Sequence, residues 1–88
     1  MDIRVGSVVI SKAGRDKGKF LAVVEMTDEG IFVCDGRGRP LDNPKRKNPR
    51  HLAATKVVLS DDDTASNRAL IRALSRVAAQ SPEEREVE

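Results

Sequence analysis

The sequence predicts a mainly β domain: a small antiparallel five-stranded barrel followed by one C-terminal α-helix. Three observations carry this. Short β-branched runs bounded by Gly-rich, charged segments recur through residues 1–59. From residue 60 the composition changes to helix formers, and Ala65–Gln80 contains no Gly or Pro. At 88 residues the chain has room for one domain, and the absence of Trp and Tyr makes its core aliphatic.

The elements follow in order. Asp2–Ser11 reads as a lead-in and first strand, with Gly6 marking a bend or bulge at its start. Ala13–Gly18 is a basic loop, and Lys19–Glu25 a second strand. Thr27-Asp28-Glu29-Gly30 is a hairpin turn leading to a third strand at Ile31–Asp35. The runs Phe20–Val24 and Ile31–Cys34 do not alternate cleanly, which fits a tightly curled barrel whose bulges shift register. Gly36–Pro40 is a turn. Leu41–Pro49, broken by Pro44 and Pro49, reads as a long loop feeding an edge strand. Arg50–Leu52 and Thr55–Leu59 supply the fourth and fifth strands. Asp62, Asp63 and Thr64 each suit a helix N-cap. In the helix that follows, Leu70, Ile71, Leu74, Val77 and Ala78 share one face. Arg68, Arg72 and Arg76 step by four on the other side and read as a solvated face, with a second RNA contact as the sharper alternative. Pro82 stops the helix, and residues 81–88 read as a charged, disordered tail.

Formal net charge is only +2, but its placement is uneven. From Met1 to Lys56 there are twelve Lys and Arg against seven Asp and Glu, a balance of +5. From Val57 onward there are four against seven, a balance of −3. The basic excess is densest from Arg37 to Arg50. For a polyanionic partner a local cluster matters more than the total. A single cysteine, Cys34, forms no internal disulfide, and no long apolar run is present, so the chain reads as soluble and cytoplasmic with no membrane role.

Enzyme chemistry finds little support. Gly14-Arg-Asp-Lys-Gly18-Lys19 superficially matches a phosphate-binding P-loop, which needs four residues between its glycines and Ser or Thr after the Lys. Here there are three, and Phe20 follows. Gly36-Arg37-Gly38 begins like a dinucleotide fingerprint, but Leu41 stands where the third Gly belongs. One His and one Cys give no metal-ligand spacing, and no cofactor is implied. A Cys34–His51 nucleophilic pair is conceivable, although a Cys ending an apolar strand is more often core filling. No acid, base and nucleophile converge.

Binding chemistry fits better. Gly lets a backbone come close to phosphates, and Lys and Arg neutralise them with release of counterions. Lys12, Arg15, Lys17, Gly18 and Lys19 form one such group. Arg37, Arg39, Lys45, Arg46, Lys47 and Arg50, with His51, form another. Single-strand readers present aromatic stacking platforms, and here only Phe20, Phe32 and His51 could serve. Phosphate and shape recognition of folded RNA is the expected mode. The same scarcity argues against a groove for Pro-rich peptides.

These residues also carry a resemblance. Val8-Val9-Ile10, then Gly14-Arg15-Asp16-Lys17-Gly18-Lys19, then Ala22-Val23-Val24 resembles a KOW motif. Such motifs occur in ribosomal proteins and in transcription elongation factors. With Val5-Gly6, Val33 to Gly36, Lys45-Arg46-Lys47-Asn48 and His51-Leu52, the series is similar to the ribosomal large-subunit protein fourteen family of archaea and eukaryotes. The resemblance covers roughly residues 4–56; the triple Asp and the helix lie outside it. It implies an SH3-like barrel that binds ribosomal RNA or the ribosome, with Arg15–Lys19 and Lys45–Arg50 in contact. The alternative is a KOW-type protein-interaction module, in which the apolar face of the helix meets a partner instead of the barrel.

Overall fold

A computed structural model describes residues 3–80. The aliphatic runs become strands β1 (Ser7–Ser11), β2 (Phe20–Thr27) and β3 (Gly30–Cys34). They are followed by β4 (Lys45–Lys47), β5 (Leu52–Val58) and helix α1 (Asn67–Gln80). All neighbouring strands are antiparallel, in one sheet ordered β4-β3-β2-β1-β5. The first four strands form a meander, and β5 returns to lie beside β1. The turn between β2 and β3 is tight: Thr27 pairs with Gly30, and Thr27 Oγ1 accepts the Glu29 N–H.

The fourth strand corrects the sequence reading. It lies at Lys45–Lys47, inside the segment 41–49 expected as loop, and pairs with β3 through Ile31↔Lys47 and Val33↔Lys45. Pro49–His51 is a 3-10 turn, with Asn48 Oδ1 accepting the Arg50 N–H. Leu52–Val58 is one continuous strand. Both prolines fall outside the paired residues, so they bound an edge strand without taking a donor from its ladder.

The two faces of the sheet are both buried, which explains the unalternating runs. Val9, Leu21, Val23, Ile31, Val33 and Leu52 point to an inner core with Ile3. Their neighbours Val8, Phe20, Ala22 and Cys34 point the other way, to an outer core with Leu59, Leu70, Ala73, Leu74 and Val77. Successive strand residues serve opposite faces, so two-sided burial demands a continuous apolar run. Register shifts do occur, between Ser7 and Val9 and between Val23 and Glu25. The second falls at Val24, where the buried run of β2 ends and the strand becomes exposed at Glu25–Thr27.

Helix α1 therefore spends its apolar face inside the molecule. Leu70, Ala73, Leu74 and Val77 are buried, while Ile71 and Ala78 flank the contact half-buried. The expected caps are corrected as well. Ser66 is the N-cap: its Oγ accepts the Ala69 N–H at 3.1 Å and its carbonyl accepts the Leu70 N–H. Residues 60–65 turn instead of coiling, with Asp63 N–H donating to Ser60 O and Ala65 N–H to Asp62 O. Asp63 caps that turn through Ser60 N–H and Oγ–H, and pairs with Arg76 at 3.4 Å. At the same end, Gly36 has φ +85, and a Cβ there would sit 2.7 Å from Asn67 O and 2.9 Å from Ile71 Cγ1. Only glycine lets this turn press against the helix. Among the described residues no helix is long and apolar enough to cross a membrane. The expected tail, 81–88, lies outside the described residues.

Candidate nucleic-acid interface

The basic loop between β1 and β2 is a short, internally bonded structure. Ser11 N–H donates to Lys19 O, Gly18 N–H to Ser11 O, Lys17 N–H to Gly14 O and Lys19 N–H to Asp16 O. These reversals need left-handed backbone at Gly14 and Gly18, where φ is +81 and +87. At Gly18 no heavy atom lies within 4 Å of the place a Cβ would take, so its backbone faces open space. Its N–H is already donated within the loop, so Gly18 supplies shape and access to an anion, not a free amide donor. Lys12, Arg15, Lys17 and Lys19 are all exposed around this turn.

The loop is fastened to β4 and to the 3-10 turn. Strand alternation points Lys45 and Lys47 to one side and Arg46 to the other. The ammonium groups of Lys45 and Lys47 lie 3.6 and 3.9 Å from the same Asp16 Oδ2. Lys47 Nζ also donates to Ser11 Oγ at 3.1 Å and to Ala13 O at 3.2 Å, and Ser11 Oγ donates to Ala13 O. Lys47 is only 7% exposed, so its charge needs these acceptors to be held inside. One residue further on, Lys12 N–H donates to His51 O at 2.7 Å. Through these contacts the exposed Lys12, Arg15, Lys17, Arg50 and His51 and the half-buried Lys45 are gathered at one end of the sheet.

Three of the sequence-predicted residues are placed differently. Lys47 is a framework residue whose ammonium faces inward, so it offers no free cation to a partner. Arg37 and the half-buried Arg39 stand on the turn that docks on α1, where Asp35 Oδ1 accepts both of their N–H groups. Arg37 and Lys19 flank a shallow groove floored by Phe20, Ile71, Leu74 and Ala78. The basic segment 37–50 is thus divided, with Lys45–His51 beside the loop and Arg37 on the helix side. Arg46 is exposed and donates from Nη1 to Glu29 O across the β2–β3 turn at 2.9 Å.

Sequence reasoning missed Asp16 and Ser11 as organisers. The signal was available: one carboxylate inside a loop of four cations is a candidate clamp for a nearby lysine. The nucleophilic pairing is resolved differently. Cys34 is fully buried on the helix side, its Sγ donating to Pro40 O, while His51 is exposed in the 3-10 turn. Burial, with Asp35 and Asp42 nearby, pushes the Cys34 thiol up to about 11, the opposite of an activated nucleophile. No known protein-family model matches the sequence.

Proposed function

We propose that this chain is a non-enzymatic RNA-binding module that grips folded RNA by its phosphates, with ribosomal RNA or the ribosome as the partner class. The observation that carries the reading is the fastening of loop 12–19 to segment 45–51 through Asp16, Lys45, Lys47 and the Lys12–His51 backbone bond. It turns two basic stretches, distant in sequence, into one exposed surface without aromatic platforms. Such a surface suits backbone and shape recognition of structured RNA. The resemblance to KOW proteins and to the ribosomal protein fourteen family supports the same partner and a place in translation in the cytoplasm.

Lys12, Arg15, Lys17, Lys45 and Arg50 are the proposed phosphate contacts, with His51 and the open backbone at Gly18 beside them. The alternative, a protein-interaction module working through the apolar face of α1, has only the flank at Ile71 and Ala78 to offer, because Leu70, Ala73, Leu74 and Val77 already pack on the sheet. Filter binding of a folded ribosomal RNA fragment at rising salt tests the proposal. The expected result is a steep linear fall of log K with log salt, each phosphate contact adding about 0.7–0.9 to the slope. Absence of binding even at low salt, or a slope near zero, would count against it.

A further inference from the structure

Beside β4, between the β2–β3 turn and the 3-10 turn, lies a cleft of about 410 Å³, to which the strand contributes Arg46 and Lys47. Its volume is within the range of small-molecule sites, roughly 300–1,000 Å³. Met26, 43% exposed, and Pro49 line it together with the buried Ile31. Arg46 crosses it, held by its bond to Glu29 O and by the side-chain stem lying over Gly30. Asp28 and Glu29 sit at its edge, and among the described residues neither carboxylate has an ion-pair partner.

This composition differs from that of the basic surface next to it. Two carboxylates repel phosphate, so the cleft is not a continuation of the phosphate track. An apolar wall and a fixed guanidinium plane suit a flat aromatic ring, and Arg planes stack on bases where aromatic side chains are lacking. The carboxylates call for a ring edge that donates hydrogen bonds. Among the RNA bases, guanine alone carries two adjacent donors on that edge, N1–H and the N2 amino group, which one carboxylate accepts together.

We propose that the cleft receives a single unpaired guanine splayed out of the bound RNA. The base stacks on the Arg46 guanidinium against Met26 and Pro49, with its N1–H and N2–H donating to Asp28 or Glu29. The inference rests on the RNA-binding reading and adds base selectivity to it: phosphates held by Lys12, Arg15, Lys17, Lys45 and Arg50, one base read in the cleft lined by Arg46 and Pro49.

The test varies the RNA, so it does not depend on any variant folding. The full chain is titrated against one RNA hairpin carrying an extrahelical guanine, adenine or inosine, or none. The guanine form binds roughly tenfold tighter than the adenine form and the unbulged form, the scale of one good bidentate contact. Inosine, which keeps N1–H and lacks the N2 amino group, falls between. Asp28→Asn combined with Glu29→Gln abolishes the preference for guanine over adenine and leaves tight binding to the unbulged hairpin. If all four hairpins bind equally with a steep salt slope, the cleft inference is overturned and RNA binding stands. If none binds at low salt, both fall.

Discussion

The two sides of this sheet are closed by different means. On the helix side, closure is apolar: Val8, Phe20, Ala22 and Cys34 meet Leu70, Ala73, Leu74 and Val77, and Gly36 lets a turn press on the first turn of α1. Away from the helix the sheet encloses a second apolar core, and there the loop end is fastened by polar contacts: Lys47 reaches from an edge strand to Ser11, Ala13 and Asp16. Both sides carry basic residues. Only on the loop side do the contacts that close the fold also fix where the exposed cations stand. The three arginines of α1 project from a helix whose packing is independent of them, and only Arg76 has an ion-pair partner among the described residues. On the proposed reading, position within a framework, not the number of charges, distinguishes a binding face from a solvated one.

The largest effect is expected at the apolar closure. Gly36→Ala imposes left-handed backbone on an alanine and drives its Cβ against the Asn67 carbonyl. It should cost about 3 kcal/mol in urea unfolding. RNA affinity of the folded fraction should be unchanged, since the turn presses on α1 and makes none of the contacts that fasten the loop to β4. Lys47→Ala comes next. It removes the only described ammonium that bonds Ser11 and Ala13, and leaves Asp16 to Lys45 alone, at a cost of about 2–3 kcal/mol. Unlike Gly36→Ala, it should also weaken RNA binding at temperatures where the protein stays folded, because the loop loses its anchor. Equal effects of the two variants on RNA would erase the distinction between the two closures.

The smallest effect is expected at the turn before α1. The Ser60 N–H holds the Asp63 carboxyl below its ordinary value of 3.8, helped by the Ser60 hydroxyl and by Arg76 and opposed by slight desolvation. A carboxyl depressed by folding stabilises the fold above its ordinary pKa. That stabilisation is lost as pH falls below 3.8 and through the lower folded-state value. Asp63→Asn should therefore lower the urea midpoint slightly at pH 7 and by less at pH 2. An equal loss at both values would place the effect in the hydrogen-bond geometry instead of the charge. Because the site is largely solvated, the shift should be modest.

How much of this was legible depended on which forces left a mark in sequence. The hydrophobic runs of β1, β2 and β3 and the helical spacing of Leu70, Leu74 and Val77 are local patterns, and they read correctly. β4 did not, because Lys45-Arg46-Lys47 has no apolar pattern at all. It is a strand only because β3 offers a ladder and the Lys47 ammonium finds three acceptors from across the sheet. The Ser66 cap was hidden by the acidic run before it, where Asp63 prefers a local bond to Ser60 over starting the helix. The unalternating runs were visible, but their cause was not: burial on the second face requires the helix to be placed first. At the candidate interface, the exposed cations of the loop were evident from composition. The inward turn of Lys47 and the separation of Arg37 from Lys45 follow from strand alternation and from the Gly36 contact, which become visible only with the partners in place.

Two variants with the same loss of charge test the central claim most directly. One carries Arg15→Ala, Lys17→Ala and Arg50→Ala on the loop side; the other carries Arg68→Ala, Arg72→Ala and Arg76→Ala on the helix. All six side chains are exposed, so both proteins should keep stability within about 1 kcal/mol of the parent. Salt titration of their binding to a folded ribosomal RNA fragment should show the loop variant with a slope reduced by roughly two to three. Its affinity at low salt should fall at least tenfold, while the helix variant stays within about twofold of the parent. Equal losses in the two variants would mean that only total charge matters, and the claim that the fastened loop forms the binding face would be wrong.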